Sequence, residues 1–226
     1  MINVYRNYIS IGHPNHRGFK RISTNAIVIH YTANEDRSMG DVATEAYFGR
    51  KWIKGTDGKY YEEDGKTLFA YGSAQVIADE DSISETMDLD DVAWHAGDSR
   101  VPDGKGEFTP QPAANIWLRS NPNYKSLGIE ICDNADWGKA CANAADWIVN
   151  YIKQNKYVIN MSASLDPQHG DGVMKNEDIL ILRHYDVTMK LCPKPFVDSP
   201  SDWKEFVTNI NNRVKSDEVV KINYLS

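Results

Sequence analysis

A single α/β domain, with a central mixed β-sheet and helices packed on its faces, is the fold this sequence predicts. Short apolar runs rich in β-branched residues read as buried strands: AIVIH at 26–30, LGIEIC at 127–132, and Ile179 to Arg183. Elsewhere apolar residues recur at helical spacing, as Trp137, Cys141, Ala144, Ile148 and Ile152 do. The two kinds of segment alternate irregularly, which suits one mixed sheet. A chain of 226 residues is long enough for one full-sized core.

In chain order, the strand at Ala26 to His30 is followed by a turn at Asn34 to Arg37. Ser38 and Asp41 fit a capping box that opens a helix to about Arg50, with Val42, Ala46 and Tyr47 facing inward. Lys54 to Lys66, with three glycines, reads as a surface loop or exposed hairpin. Ser73 to Ala78 and Ser82 to Met87 read as a β-hairpin. Gly97 to Lys125, with four prolines and three glycines, is a long loop of the kind that often binds ligands, and its Trp117 and Tyr124 could stack on a sugar or peptide. After the strand at Leu127 to Cys132 comes an amphipathic helix from about Asp136 to Asn155. Asn160 to Asn176 reads as loop and Ile179 to Arg183 as the last strand. Trp203, Phe206, Val207 and Ile210 mark a final helix, with Ser201 as its N-cap. Residues 216–226 are a C-terminal tail, either a frayed end or the start of a linker.

Composition narrows the function. The net charge of −7, without a basic stripe, argues against a nucleic-acid partner. No apolar segment is long enough to insert into a membrane, and no secretory signal is visible at the start. The expectation is a protein made in the cytoplasm. Three cysteines, an odd and low count, argue against a disulfide scaffold. Cys132 and Cys141 fall on apolar faces and read as packing residues, while His13, His16 and His169 lie in polar stretches and read as solvated.

His30 and His184 each end a strand, where α/β sheets open their functional crevice. Cys192 follows His184 by eight residues. Two imidazoles and one thiolate suit zinc, and three protein ligands leave a fourth position for water, as in catalytic sites. Spacing alone leaves a second reading equally open, in which the histidines are hydrogen-bonded core residues and the cysteine a small hydrophobe.

Four segments in order, IVIHYTAN, DVAWHAGD, SLGIEIC and LRHYDVTMKLCP, resemble the type 2 N-acetylmuramoyl-L-alanine amidases. That family includes many phage endolysins and shares its fold with the peptidoglycan-recognition proteins. The resemblance covers roughly residues 20–215, implying that 1–215 form a zinc amidase catalytic domain acting on the lactyl-L-alanine amide of bacterial peptidoglycan. It implies zinc on His30, His184 and Cys192, with Lys190 near the scissile carbonyl and Glu130 as acid or base. It places Trp94, His95 and Tyr31 along the substrate cleft. A phage or prophage endolysin, acting on the wall after release, with or without a separate wall-binding domain, is the biological setting it implies. One departure matters. Where some members carry a tyrosine near the reacting water, this chain has Ala74, and Tyr71 three residues earlier would face the wrong side of a strand. Glu130 then becomes the best-placed proton carrier.

Two other readings compete. A non-catalytic peptidoglycan-binding module of the same fold is disfavoured because such relatives typically lack the cysteine. A papain-type pair of Cys192 and His184 fits poorly, since Pro193 cannot supply a backbone N–H to an oxyanion.

Overall fold

The structure, a computed structural model, describes residues 2–33, 40–97, 117–118, 121–133, 136–169 and 173–225. Its strands are β1 (Ile2–Arg6), β2 (Ala26–Tyr31), β3 (Trp52–Lys54), β4 (Tyr60–Glu62), β5 (Val76–Ala78), β6 (Ser82–Glu85), β7 (Ser126–Ile131), β8 (Val158–Ile159), β9 (Asp178–Arg183) and β10 (Ile222–Leu225). Its helices are α1 (Asp41–Phe48), α2 (Trp137–Asn155), α3 (Met161–Leu165), α4 (His184–Thr188), α5 (Lys194–Asp198) and α6 (Pro200–Lys215).

One sheet runs in the order β10-β1-β6-β5-β7-β2-β9-β8, and β3 with β4 forms a separate hairpin. Within the large sheet only β5 and β6 pair antiparallel, so it is the mixed sheet that the sequence predicts. The apolar runs take its centre because strands covered on both faces need apolar residues at every position. Ile27, Ile29, Ile129 and Ile181 face α2 and α6 in the larger core with Trp147, Ile148, Trp203 and Val207. Each such buried side chain contributes roughly 1.5–3 kcal/mol. Ala26, Val28, Leu180 and Leu182 point to the opposite face, where Trp117, Leu118 and Ala163 cover them.

Several expectations are corrected. Helix α1 docks by Asp41, Thr44 and Phe48, while Val42 and Tyr47 are exposed. The reason is polar: the Asp41 carboxylate accepts hydrogen bonds from the hydroxyls of Ser82 (3.1 Å) and Ser84 (3.0 Å) on β6, which turns that side of the helix inward. Gly40 is the N-cap, without a side-chain bond, and Ser38 and the turn at 34–37 lie outside the described residues. The loop expected at 160–176 contains α3, capped by the Asn160 side chain. Helix α6 begins at Pro200, whose ring favours the first helical position, so Ser199 is the N-cap and Ser201 lies inside the helix. Residues 222–225 of the tail form the edge strand β10, beside β1, an element that no local sequence pattern indicates. Trp117 is buried, and its indole N–H donates to the Pro167 carbonyl (3.0 Å), so it is a core residue and not a stacking platform. Most of the remaining loop from 97 to 125 lies outside the described residues. His16 is buried between the Ile9 carbonyl (2.5 Å) and Asp91 (2.8 Å), and His13 is half-buried with Nε2 on the Arg50 carbonyl (2.9 Å).

The Asp41 contact has a consequence for stability. Burial, together with the charge of Asp79, holds the Asp41 carboxyl up at about 6. Burial would also raise Asp79, but the backbone N–H groups of Asp41, Asp81 and Ser82 outweigh it and leave that carboxyl low. Asp79, Asp81 and the Cys132 thiol are the titratable groups facing Asp41 from the elements around it. Folded Asp41 keeps its proton at pH values where an unfolded carboxyl, near 3.8, has lost it. Its contribution to stability is therefore greatest below about pH 4 and declines as pH rises through about 6. A separation of about two pH units between the folded and unfolded values is worth roughly 2–3 kcal/mol. Thermal melts from pH 5 to 8 should show Asp41→Asn losing less stability than the wild type. Equal losses would place this pH dependence elsewhere.

Candidate metal centre

The order β7-β2-β9 brings Glu130 and His30 abreast on adjacent strands, with His184 just past the end of the third. His30 is in register with Glu130, and Ile29 with Arg183, the residue before His184. Paired residues of neighbouring strands share a face, so Glu130 and His30 point to the same side of the sheet. His184 opens α4 directly after β9. Asp186 clamps that turn by accepting from the Arg183 backbone N–H (2.9 Å) and side chain (2.7 Å). Met189 ends α4 in the left-handed region (φ +62°) and reverses the chain. The Tyr185 N–H then donates to the Cys192 carbonyl (2.8 Å), which returns Cys192 beside His184.

His30, His184 and Cys192 are each 2% exposed. Their donor atoms all lie within 4.8 Å of one another, with Cys192 Sγ 3.8 Å from His30 Nδ1. Neither ring nitrogen of His184 has a hydrogen-bond partner among the described residues, nor has Glu130 Oε2. A buried imidazole left bare at both nitrogens costs free energy unless something binds it. Two nitrogens and a sulfur at this spacing are a donor set that fits zinc, with one position left open. Burial, aided by the nearby Lys190 charge, lowers His184 to about 3, and burial also takes His30 well below its ordinary value. Both rings are thus neutral and offer lone pairs. Burial and the Glu130 charge push the Cys192 thiol up to about 12, so binding a metal there displaces a proton. Burial raises Glu130 to about 8, a rise that the Lys190 charge opposes.

Lys190 itself is exposed at the mouth, between exposed Met189 and Leu191. Its charge acts on His30, His184, Glu130 and Cys192 alike. Tyr31 is half-buried near Cys192. Trp94 sits in an aromatic group with Phe19 and Tyr124, under the Arg17 guanidinium. His95 does not line an open cleft through its nitrogens: Nδ1 meets His30 Nε2 at 3.0 Å and Nε2 meets Ser126 Oγ at 3.3 Å. Ala74 is fully buried beside Phe48 and Ile77, and Tyr71 packs against Tyr60 and Phe69.

Sequence reasoning missed the residues behind His30. Gly128, in the middle of β7, lies against the His95 ring, and a Cβ there would come within 2.6 Å of His95 Cγ. A glycine interrupting an apolar strand is the signal that could have shown this close approach. Gln75, fully buried, accepts from the Gly128 N–H (2.7 Å) and donates to the Asp91 carbonyl (2.8 Å).

Comparison with known proteins agrees with this geometry. The family model for N-acetylmuramoyl-L-alanine amidase matches residues 20–195. The chain is 26% identical over 224 residues to N-acetylmuramoyl-L-alanine amidase BlyA of Bacillus subtilis (strain 168), covering 97% of this chain and 50% of the relative. It is 24% identical to N-acetylmuramoyl-L-alanine amidase CwlH of the same organism, covering 94% of this chain and 62% of the relative. The chain thus spans about half to three-fifths of the length of these curated relatives. Among solved structures, the catalytic domain of XlyA superposes with a TM-score of 0.60 at 22% identity, covering 91% of this chain and 99% of that one. PlyL superposes with a TM-score of 0.54 at 17% identity, covering 97% and 99%. These structures share the fold, and the match of sequence and motif order over residues 20–195 shows that the chain belongs to the N-acetylmuramoyl-L-alanine amidase family.

Proposed function

We propose that this chain is a zinc-dependent N-acetylmuramoyl-L-alanine amidase, the catalytic part of a phage or prophage endolysin, which hydrolyses the lactyl-L-alanine amide of bacterial peptidoglycan. The observation that carries the reading is the buried group of His30, His184 and Cys192, with both His184 nitrogens bare. Zinc, when bound, would supply Lewis acidity and lower the pKa of a water toward ~7.

The protein's own groups then have distinct tasks. Glu130, beside His30 on the next strand, is raised by burial, but a dication held by His30, His184 and Cys192 would favour its ionised form, so that its carboxylate takes the proton of the attacking water and gives it to the departing alanine nitrogen. The Lys190 ammonium at the mouth faces the carbonyl oxygen as it becomes an oxyanion. Tyr31 and Trp94 remain the expected substrate contacts. The net charge of −7 gives no general attraction to anionic wall polymers, so wall affinity comes from the shape of the cleft or from a separate wall-binding domain. Among the described residues no helix is long and apolar enough to cross a membrane.

Removing metal with a chelator should abolish hydrolysis of purified peptidoglycan, and zinc should restore it. Undiminished hydrolysis by demonstrably metal-free protein would overturn the reading.

A further inference from the structure

We propose that His95 is a positioning residue: it fixes the tautomer of His30, so that Nδ1 of His30 always presents a lone pair toward Cys192. Its bearing on the metal rests on the zinc reading above.

The hydrogen bonds assign the protons one after another, starting from the far end. Ser126 Oγ lies 2.8 Å from the Pro122 carbonyl, which can only accept, so the single hydroxyl proton is directed there. At 3.3 Å, Ser126 Oγ can then only accept from His95 Nε2, and that nitrogen carries the proton. With the proton on Nε2 and no carboxylate in ion-pair contact with the ring among the described residues, neutral His95 keeps a lone pair on Nδ1. His95 Nδ1 lies 3.0 Å from His30 Nε2, which must therefore be the donor. The remaining nitrogen of His30, Nδ1, is left as the acceptor 3.8 Å from Cys192 Sγ. With Nε2 occupied by His95, the ring has one nitrogen to offer and one orientation in which to offer it.

The supporting structure is built to hold this chain of bonds. The backbone N–H groups of His95 and Ala96 both donate to Asn123 Oδ1, at 3.1 and 2.8 Å. Asn123 belongs to the 3-10 turn Pro122–Tyr124, whose first residue supplies the terminal carbonyl. One short turn thus fixes both where His95 sits and which of its nitrogens is protonated. Gly128 completes the arrangement by letting the ring lie against the β7 backbone.

The test needs two readouts. In metal-free protein, long-range 1H–15N NMR of the histidine rings should show His30 as the Nε2–H tautomer. His95→Ala should leave His30 a mixture of tautomers and raise the zinc dissociation constant, measured by chelator competition, by ~10–100-fold. His95→Asn, whose side-chain oxygen can stand near the position of Nδ1, should recover most of that loss. Should His95→Ala not fold, Ser126→Ala removes only the terminal acceptor and should likewise mix the tautomers. His30 found as the Nδ1–H tautomer in the wild type, or variants with unchanged tautomer and zinc affinity, would overturn the proposal. A wild type without zinc affinity would instead overturn the zinc reading, while the NMR measurement would still judge the hydrogen-bond chain.

Discussion

Replacing Cys192 by serine is expected to remove metal and hydrolysis together. The thiol is 2% exposed and is the soft donor among the three candidate ligands. A serine hydroxyl is shorter, harder and far less readily ionised, so it cannot replace a thiolate on zinc. Loss of an outer partner of a ligand already weakens metal binding by ~10–100-fold. Loss of the ligand itself should exceed that, and catalysis should fall with it. The substitution is nearly isosteric, so circular dichroism should report an unchanged fold. Metal analysis and turnover on purified walls check the outcome, and a folded variant that keeps both would remove Cys192 from the site.

Glu130→Gln is expected to separate the two properties that Cys192→Ser loses together. Glu130 is in register with His30, shares its face of the sheet, and has one buried oxygen without a partner among the described residues. That position suits a group that carries a proton between water and leaving nitrogen. Ala74 does not compete for the task, since the alanine side chain has no proton to give. Glutamine keeps the shape and removes the base. The variant should hold zinc normally and lose at least ~10²-fold in rate, the low end for general acid–base catalysis. Near-normal turnover by folded, zinc-loaded protein would move the proton carrier elsewhere, with Tyr71 or Tyr31 the next to test.

The sheet's centre was legible in the sequence for a physical reason that also drew attention to the two histidines, while the family resemblance is what singled them out as metal ligands. A strand buried on both faces must be apolar throughout, so a histidine ending such a run stands out, as His30 and His184 do. Glu130 interrupts LGIEIC, but the strand pattern alone suits a solvated carboxylate equally, and its role is what the family resemblance implies. What stayed hidden depends on contacts distant in the chain. β1 and β10 are short, and their alignment joins Asn3 to Asn223, which no local pattern can report. The inward face of α1 was misread because a buried carboxylate, not an apolar stripe, docks it. His16 looked solvated in its polar segment, yet Asp91, 75 residues away, holds it in the interior. The family resemblance implies that His95 lines the substrate cleft, and the geometry shows its two nitrogens meeting His30 and Ser126.

The chemistry of the cut bond tests the central claim most directly. Purified peptidoglycan, digested with the zinc-loaded protein, should gain free amino groups that end-group labelling identifies as L-alanine, with no gain in reducing sugar ends. New reducing ends without new L-alanine amino groups would mean that the glycan backbone is cut instead, and would contradict the amidase assignment.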